Sequence, residues 1–180
     1  FVGELGWELH VPIDRAGEVY DALMEAGAAH GISNAGYRAI ESLRLEKGYR
    51  IWSRDVTPED SPLEAGLGWA VKLGGDTKFL GREALLAQRA AGKLCKRLAT
   101  FTVPGQDTHL LGRETLYRDG EKVGWLTSGG HGYTIDAAIG MGYIRNPDGL
   151  DKDFILSGSY ELDVANQRVP CQVHLGALYD

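Results

Sequence analysis

The 180-residue chain has only two cysteines, Cys95 and Cys171, and no CxxC pair, so no disulfide framework or thiolate cluster organises it. One bridge between the two is open to it; two separate thiols in a reducing compartment are the simpler reading. Lys and Arg, 19 in all, are outnumbered by 25 Asp and Glu, and the net charge of −6 argues against a broad cationic footprint for nucleic acid or anionic lipid. No apolar run approaches the length of a membrane span. The five histidines, His10, His30, His109, His131 and His174, never pair at metal-ligand spacing, which argues against a zinc site. No Gly-x-Ser-x-Gly elbow and no Cys/His nucleophile setting occurs. Gly129-Gly130-His131-Gly132 lacks the Lys-Ser/Thr and the strand-to-helix context of a phosphate-binding loop, and is expected to be a turn.

What is present is ordinary globular composition, with room for one large or two small domains. Phe1-Val2-Gly3-Glu4 reads like the middle of a strand, as expected of an internal piece of a longer polypeptide. Residues 1–12 are expected to form that strand, with Trp7, Leu9 and Val11 on one face and Glu8 and His10 on the other. A carboxylate on such a strand is either solvated or ion-paired, or accepts two parallel N–H bonds from a planar edge such as an arginine or a pterin. Asp14 then caps a helix with Ala16, Val19, Tyr20, Leu23 and Met24 at helical spacing, ended by Gly27 or Gly31. Asn34 caps a second helix whose buried stripe is Ala39, Ile40 and Leu43. Its Arg38, Glu41 and Arg44 stand three apart, as in a solvated face of weak ion pairs. Residues 67–73 read as a strand and residues 82–91 as a helix closed by Gly92.

From Lys96 onward short β-rich runs follow one another: 98–103, 114–117, 123–128, 138–144, 160–164 and 169–175. Asp119-Gly120 marks a hairpin between the second and third, no further helix is expected, and the pattern implies a small barrel or sandwich. A domain boundary falls between residues 92 and 96.

Taken in order, four stretches resemble the glycine cleavage T-protein superfamily. They are Gly3-Glu4-Leu5-Gly6-Trp7-Glu8-Leu9, the run from Ala35 through Ser42-Leu43-Arg44-Leu45-Glu46-Lys47-Gly48 to Arg50, Ser61-Pro62-Leu63-Glu64-Ala65-Gly66-Leu67, and Phe79-Leu80-Gly81-Arg82-Glu83-Ala84-Leu85. Within that superfamily, the wording around Arg44 to Asp55 and the closing His174-Leu175-Gly176-Ala177-Leu178-Tyr179-Asp180 are similar to the carboxyl-terminal folate-binding region of sarcosine and dimethylglycine dehydrogenases. The resemblance implies an α+β fold: residues 1–93 as the C-terminal half of a folate-binding domain, and residues 94–180 as a small antiparallel β-barrel. It implies that an upstream FAD domain oxidises an N-methyl amine, and that tetrahydrofolate captures the one-carbon unit as 5,10-methylenetetrahydrofolate before water consumes it.

Residue by residue, the resemblance implies that Glu8 holds the pterin edge. Ile40 stands where T-proteins carry a folate-contacting arginine, so Arg38, half a turn away, is the stand-in. Trp52 takes the place of a pocket tyrosine, with core packing as its alternative role. No catalytic residue is expected in this stretch, since the family's catalytic Asp lies earlier than Phe1. The implied partners are folate, an amine substrate and the FAD domain of the same polypeptide, with no nucleic acid and no membrane. The implied location is the mitochondrial matrix in a eukaryote and the cytoplasm in a bacterium. Two other roles carry the same wording: a glycine cleavage aminomethyltransferase and a non-catalytic relative such as a regulatory subunit of pyruvate dehydrogenase phosphatase.

Overall fold

The computed structural model describes residues 1–105 and 107–179; Asp180, which ends the closing motif, lies outside them. Four helices precede or interrupt six strands: α1 (Ala16–Gly27), α2 (Tyr37–Glu46), α3 (Arg82–Ala90), β1 (Leu94–Pro104), β2 (Thr115–Arg118), β3 (Glu121–Gly132), β4 (Ala137–Leu150), α4 (Lys152–Ser157), β5 (Tyr160–Val164) and β6 (Gln167–His174). The strands close into an antiparallel barrel in the order β1-β4-β3-β2-β5-β6, sealed where Thr100, Phe101 and Thr102 of β1 pair with His174, Val173 and Gln172 of β6. Closure leaves the sheet no free edge. Each β-rich run of the sequence overlaps one of these strands, with Glu114 and Leu175 falling just outside β2 and β6. Asp119 and Gly120 both take positive φ, 52° and 86°, and join Arg118 to Glu121 as a two-residue hairpin.

Ala99, Phe101 and Val103 of β1, Leu116 of β2, Leu126 of β3, Ala138 and Ile144 of β4, and Leu162 of β5 fill the barrel. The outward positions of β1 and β4 are buried as well. Leu98, Ile139, Met141 and Tyr143 pack against Leu45 of α2, with Leu178 and Ile135 at the margin. One helix lying across the barrel wall turns the usual in-out alternation of these two strands into continuous burial.

Several expectations are corrected. Residues 1–12 form no strand: the segment has no pairing partner among the described residues, and Trp7 and Leu9 of its apolar face stand in solvent, 84% and 60% exposed. Residues 67–73 likewise make only a short 3-10 turn, Gly68–Ala70. A period-two pattern becomes a strand only when another strand takes up its N–H and C=O groups. Asp14 lies inside the 3-10 turn Ile13–Arg15 and caps nothing. Asn34 donates to the Tyr20 hydroxyl (2.8 Å), and Gly36 holds the N-cap position of α2. Leu43 is exposed; the buried positions of α2 are Arg44, Leu45 and Glu46. Residues 129–132 are strand, not turn. A Cβ on Gly130 would come 2.8 Å from Leu45 Cδ1, and one on Gly132 would come 2.5 Å from Ile139 Cδ1 and 2.9 Å from Glu46 Oε1. The glycines let α2 lie close on β3. Finally, α4 is a helix the periodicity does not reveal; Asp151 caps it by accepting from the Phe154 amide (2.8 Å).

Candidate functional site

Two charges on α2, Arg44 and Glu46, are not on a solvated face, whereas Arg38 is exposed and Glu41 partly so. Arg44 and Asp55 are both fully buried and paired, Nη1 to Oδ2 at 2.9 Å. Asp55 Oδ2 also accepts from the Ile51 amide (3.0 Å), while Oδ1 accepts from the hydroxyls of Thr127 (2.5 Å) and Ser128 (2.7 Å). Arg44 spends its remaining donors on Glu41 (2.8 Å), Ser128 Oγ (2.8 Å) and the Tyr49 carbonyl (3.2 Å). Glu46 Oε1 accepts from the amides of Thr134 (2.7 Å) and Ile135 (3.3 Å). The side-chain nitrogens of Arg44 and both oxygens of Asp55 are all taken up by protein groups. The Leu-Arg-Leu-Glu wording, one of the stretches that carries the resemblance, is a lock between α2 and the barrel, not a ligand site.

The three residues singled out for a ligand lie elsewhere. Glu8 is in the unpaired opening segment, its side chain 86% exposed, with His10 Nε2 at 4.0 Å as its one ion-pair partner among the described residues. Phe1, at the start of the same segment, rests on Tyr49 with ring centroids 5.7 Å apart. Trp52 follows α2 and is 65% exposed, which removes core packing as its role. Arg38, near the start of α2, lines a groove of about 500 Å³ between that helix and β3, together with Glu41, Ser42, Arg54, His131 and Tyr133. Glu8 and Trp52 are not on the walls of that groove, so the structure does not gather all three.

The groove has defined walls. Ser42 donates to the His131 carbonyl (2.6 Å), and the His131 ring meets Tyr133 edge-on with centroids 4.9 Å apart. Arg54 donates Nε to the Thr127 carbonyl (3.0 Å) and stands 3.8 Å from Glu41. Arg38 has no carboxylate partner among the described residues. A guanidinium free of a counter-ion at the mouth of a groove can take a carboxylate in two parallel bonds. Arg54 and Tyr133 were not legible as groove residues, because only the packing of α2 on β3 brings residues so far apart in the chain together.

As a test of fit for a reduced folate, the Glu8 oxygens are bare acceptors that suit a two-donor pterin edge. Trp52 offers an exposed ring, and Arg38 a free cation for a carboxylate. The residue types fit the group.

Comparison with known proteins gives the family. The model of the GCVT N-terminal domain matches residues 1–75, and that of the glycine cleavage T-protein C-terminal barrel domain matches residues 96–180. The mitochondrial sarcosine dehydrogenase of Mus musculus is 49% identical over 182 aligned residues, which cover 100% of this chain and 20% of the relative. The mitochondrial pyruvate dehydrogenase phosphatase regulatory subunit of Mus musculus is 38% identical, over 96% of this chain and 21% of that protein. This chain thus spans about a fifth of the length of these relatives. In fold, the crystal structure of aminomethyltransferase T of the glycine cleavage system from Bartonella henselae superposes with a TM-score of 0.70 at 24% identity, over 91% of this chain and 44% of that one. Two family matches in colinear order, a closed six-stranded barrel and a shared architecture lead to one statement: the chain belongs to the glycine cleavage T-protein family.

Proposed function

We propose that this chain is the tetrahydrofolate-binding part of a flavin-dependent sarcosine or dimethylglycine dehydrogenase. The observation that carries the reading is the 49% identity to sarcosine dehydrogenase along the whole chain. In this reading residues 1–93 belong to the folate domain and residues 94–180 are its C-terminal barrel. An upstream FAD domain of the same polypeptide oxidises the N-methyl amine, and bound tetrahydrofolate supplies the amine nitrogens that capture the one-carbon unit. Glu8 would accept the two adjacent N–H groups of the pterin, Trp52 would offer its exposed ring, and Arg38 would meet a folate carboxylate. The mammalian relatives are mitochondrial proteins by name, and a eukaryotic parent of this chain works in the mitochondrial matrix. A bacterial parent works in the cytoplasm.

The test is a tetrahydrofolate titration of the longer polypeptide and its Glu8 variants. Each hydrogen bond to a charged acceptor contributes on the order of 1.5–3 kcal/mol, so Glu8→Ala is expected to weaken binding by at least about tenfold. Unchanged affinity would remove Glu8 from the site. The 180-residue chain by itself is expected to show no sarcosine oxidation and no tight folate binding; turnover by it would overturn the reading. The 38% identity to the phosphatase regulatory subunit favours a second reading, an interaction module without catalysis. That reading predicts a longer polypeptide that neither binds folate nor turns over an amine. A glycine cleavage aminomethyltransferase, the third role, would transfer the one-carbon unit with no FAD domain.

A further inference from the structure

Gly66 takes a left-handed backbone, φ 74°, which side chains with a Cβ adopt only under strain. A Cβ built on it would lie 2.9 Å from Nη2 of Arg50, and 2.7 and 3.0 Å from Nη1 and Nη2 of Arg97. Two guanidiniums therefore converge on one glycine, one from the segment after α2 and one from β1. Each is tied from behind to main chain. Arg50 donates Nε to the Ala65 carbonyl (3.2 Å) and Nη1 to that of Gly48 (2.5 Å), and Arg97 donates Nη1 to that of Leu63 (2.8 Å). Nη2 of each has no hydrogen-bond partner among the described residues, and neither guanidinium has a carboxylate within ion-pair distance. Asp55, whose field reaches Arg50, is committed to Arg44, Thr127, Ser128 and the Ile51 amide.

Burial holds both arginines below their ordinary pKa, and for Arg50 the facing charge of Arg97 adds to this. Two half-buried like charges without a counter-ion destabilise the site, and a bound anion relieves that cost. Space for one exists on both sides. A cavity of about 420 Å³ opens beside Arg50 and Lys47, and another of about 410 Å³ opens beside Arg97 and Lys93; Gly66 and the 83% exposed Trp69 line both. Among the described residues neither cavity has an Asp or Glu on its walls; Glu4 stands 3.5 Å from Lys47 of the first, and no carboxylate pairs with Arg50 or Arg97. The second cavity also contains Gln88, whose Oε1 is buried without a donor.

We propose that Arg50 and Arg97 form a clamp for a small molecule bearing a carboxylate or phosphate group. The free Nη2 groups take its oxygens across Gly66, and Gln88 offers an acceptor to an N–H or O–H on the same molecule. The site stands on its own geometry and holds whether or not folate binds at Glu8.

The experiment is calorimetric titration of the 180-residue chain with inorganic phosphate and, separately, malonate, at constant ionic strength with chloride as the control. The expected result is saturable one-site binding of at least one of the two, with the tighter one identifying the oxyanion class, and none for chloride. Arg50→Lys and Arg97→Lys keep the charge and lose the planar fork, and each is expected to weaken binding at least fivefold. Arg145→Lys, on β4 against Trp125, is expected to leave binding unchanged. Absence of saturable binding by both anions, or an affinity in both arginine variants unchanged from that of the unaltered chain, overturns the clamp. Should a variant fail to fold, amide shifts of Gly66 and the Trp69 indole N–H during phosphate titration of the unaltered chain decide the matter: saturable movement supports the site, and no movement overturns it.

Discussion

Replacing Asp55 by Ala isolates what holds α2 to the barrel. The carboxylate is fully buried and accepts four hydrogen bonds, from Arg44, the Ile51 amide, Thr127 and Ser128. Its removal leaves Arg44 with Glu41, Ser128 and the Tyr49 carbonyl as partners, and leaves the Ile51 amide without its acceptor. Breaking a buried ion pair by removing one member costs about 3–5 kcal/mol. Glu41 still faces Arg44 from a position that is partly exposed, so the lower part of that range is expected. At roughly 2–4 °C per kcal/mol for a chain of this size, the melting temperature should fall by about 6–12 °C. Guanidinium unfolding followed by far-UV circular dichroism gives the free energy directly. Pairing Asp55→Leu with Arg44→Met is expected to recover part of the loss, because two apolar residues of similar volume carry no desolvation penalty. A loss below about 1 kcal/mol for Asp55→Ala, or a double variant whose loss equals the sum of the singles, would refute the lock and assign the docking of α2 to Leu45 and its apolar neighbours alone.

Three further outcomes are expected. Glu46→Ala should cost about 1–3 kcal/mol in the same unfolding assay, because it strands the Thr134 and Ile135 amides, whereas Glu46→Gln should cost much less. Burial holds His174, hydrogen-bonded to Thr102 at 2.9 Å, below its ordinary value of 6.5. Its neutral form is therefore the folded one, its contribution is present above that value, and it is lost as the pH falls further; His174→Gln should flatten the loss of stability below about pH 6.5. For Asp60, burial alone would raise the carboxyl, but the Lys96 ammonium and the hydroxyl and amide of Thr57 outweigh it and hold it below the ordinary 3.8. That stability is present above 3.8 and lost as the pH falls further, so Asp60→Asn should shallow the acid limb of an unfolding profile below about pH 4.

Much of the fold was legible because it rests on local rules. The hairpin at Asp119-Gly120 needs only two positive φ angles. α1 and α3 need only helical spacing ended by a glycine, and the barrel strands announce themselves by short β-rich runs between turns. The candidate site was less legible: Glu8, Arg38 and Trp52 were chosen one by one, and only Arg38 proved to line the groove between α2 and β3.

By itself the sequence determined the family and the β-rich second half, since colinear wording and short-range periodicity are properties of neighbouring residues. Tertiary structure alone decided that Arg44 and Glu46 of α2 are buried, because Arg44 meets Ser128 and Met141, 84 and 97 positions away. It alone decided that Gly130 and Gly132 serve helix packing and that the alternation of residues 1–12 stands unpaired. The physical reason is the same in each case: burial, pairing and counter-charge are supplied by partners distant in the chain, and a local pattern carries no record of them.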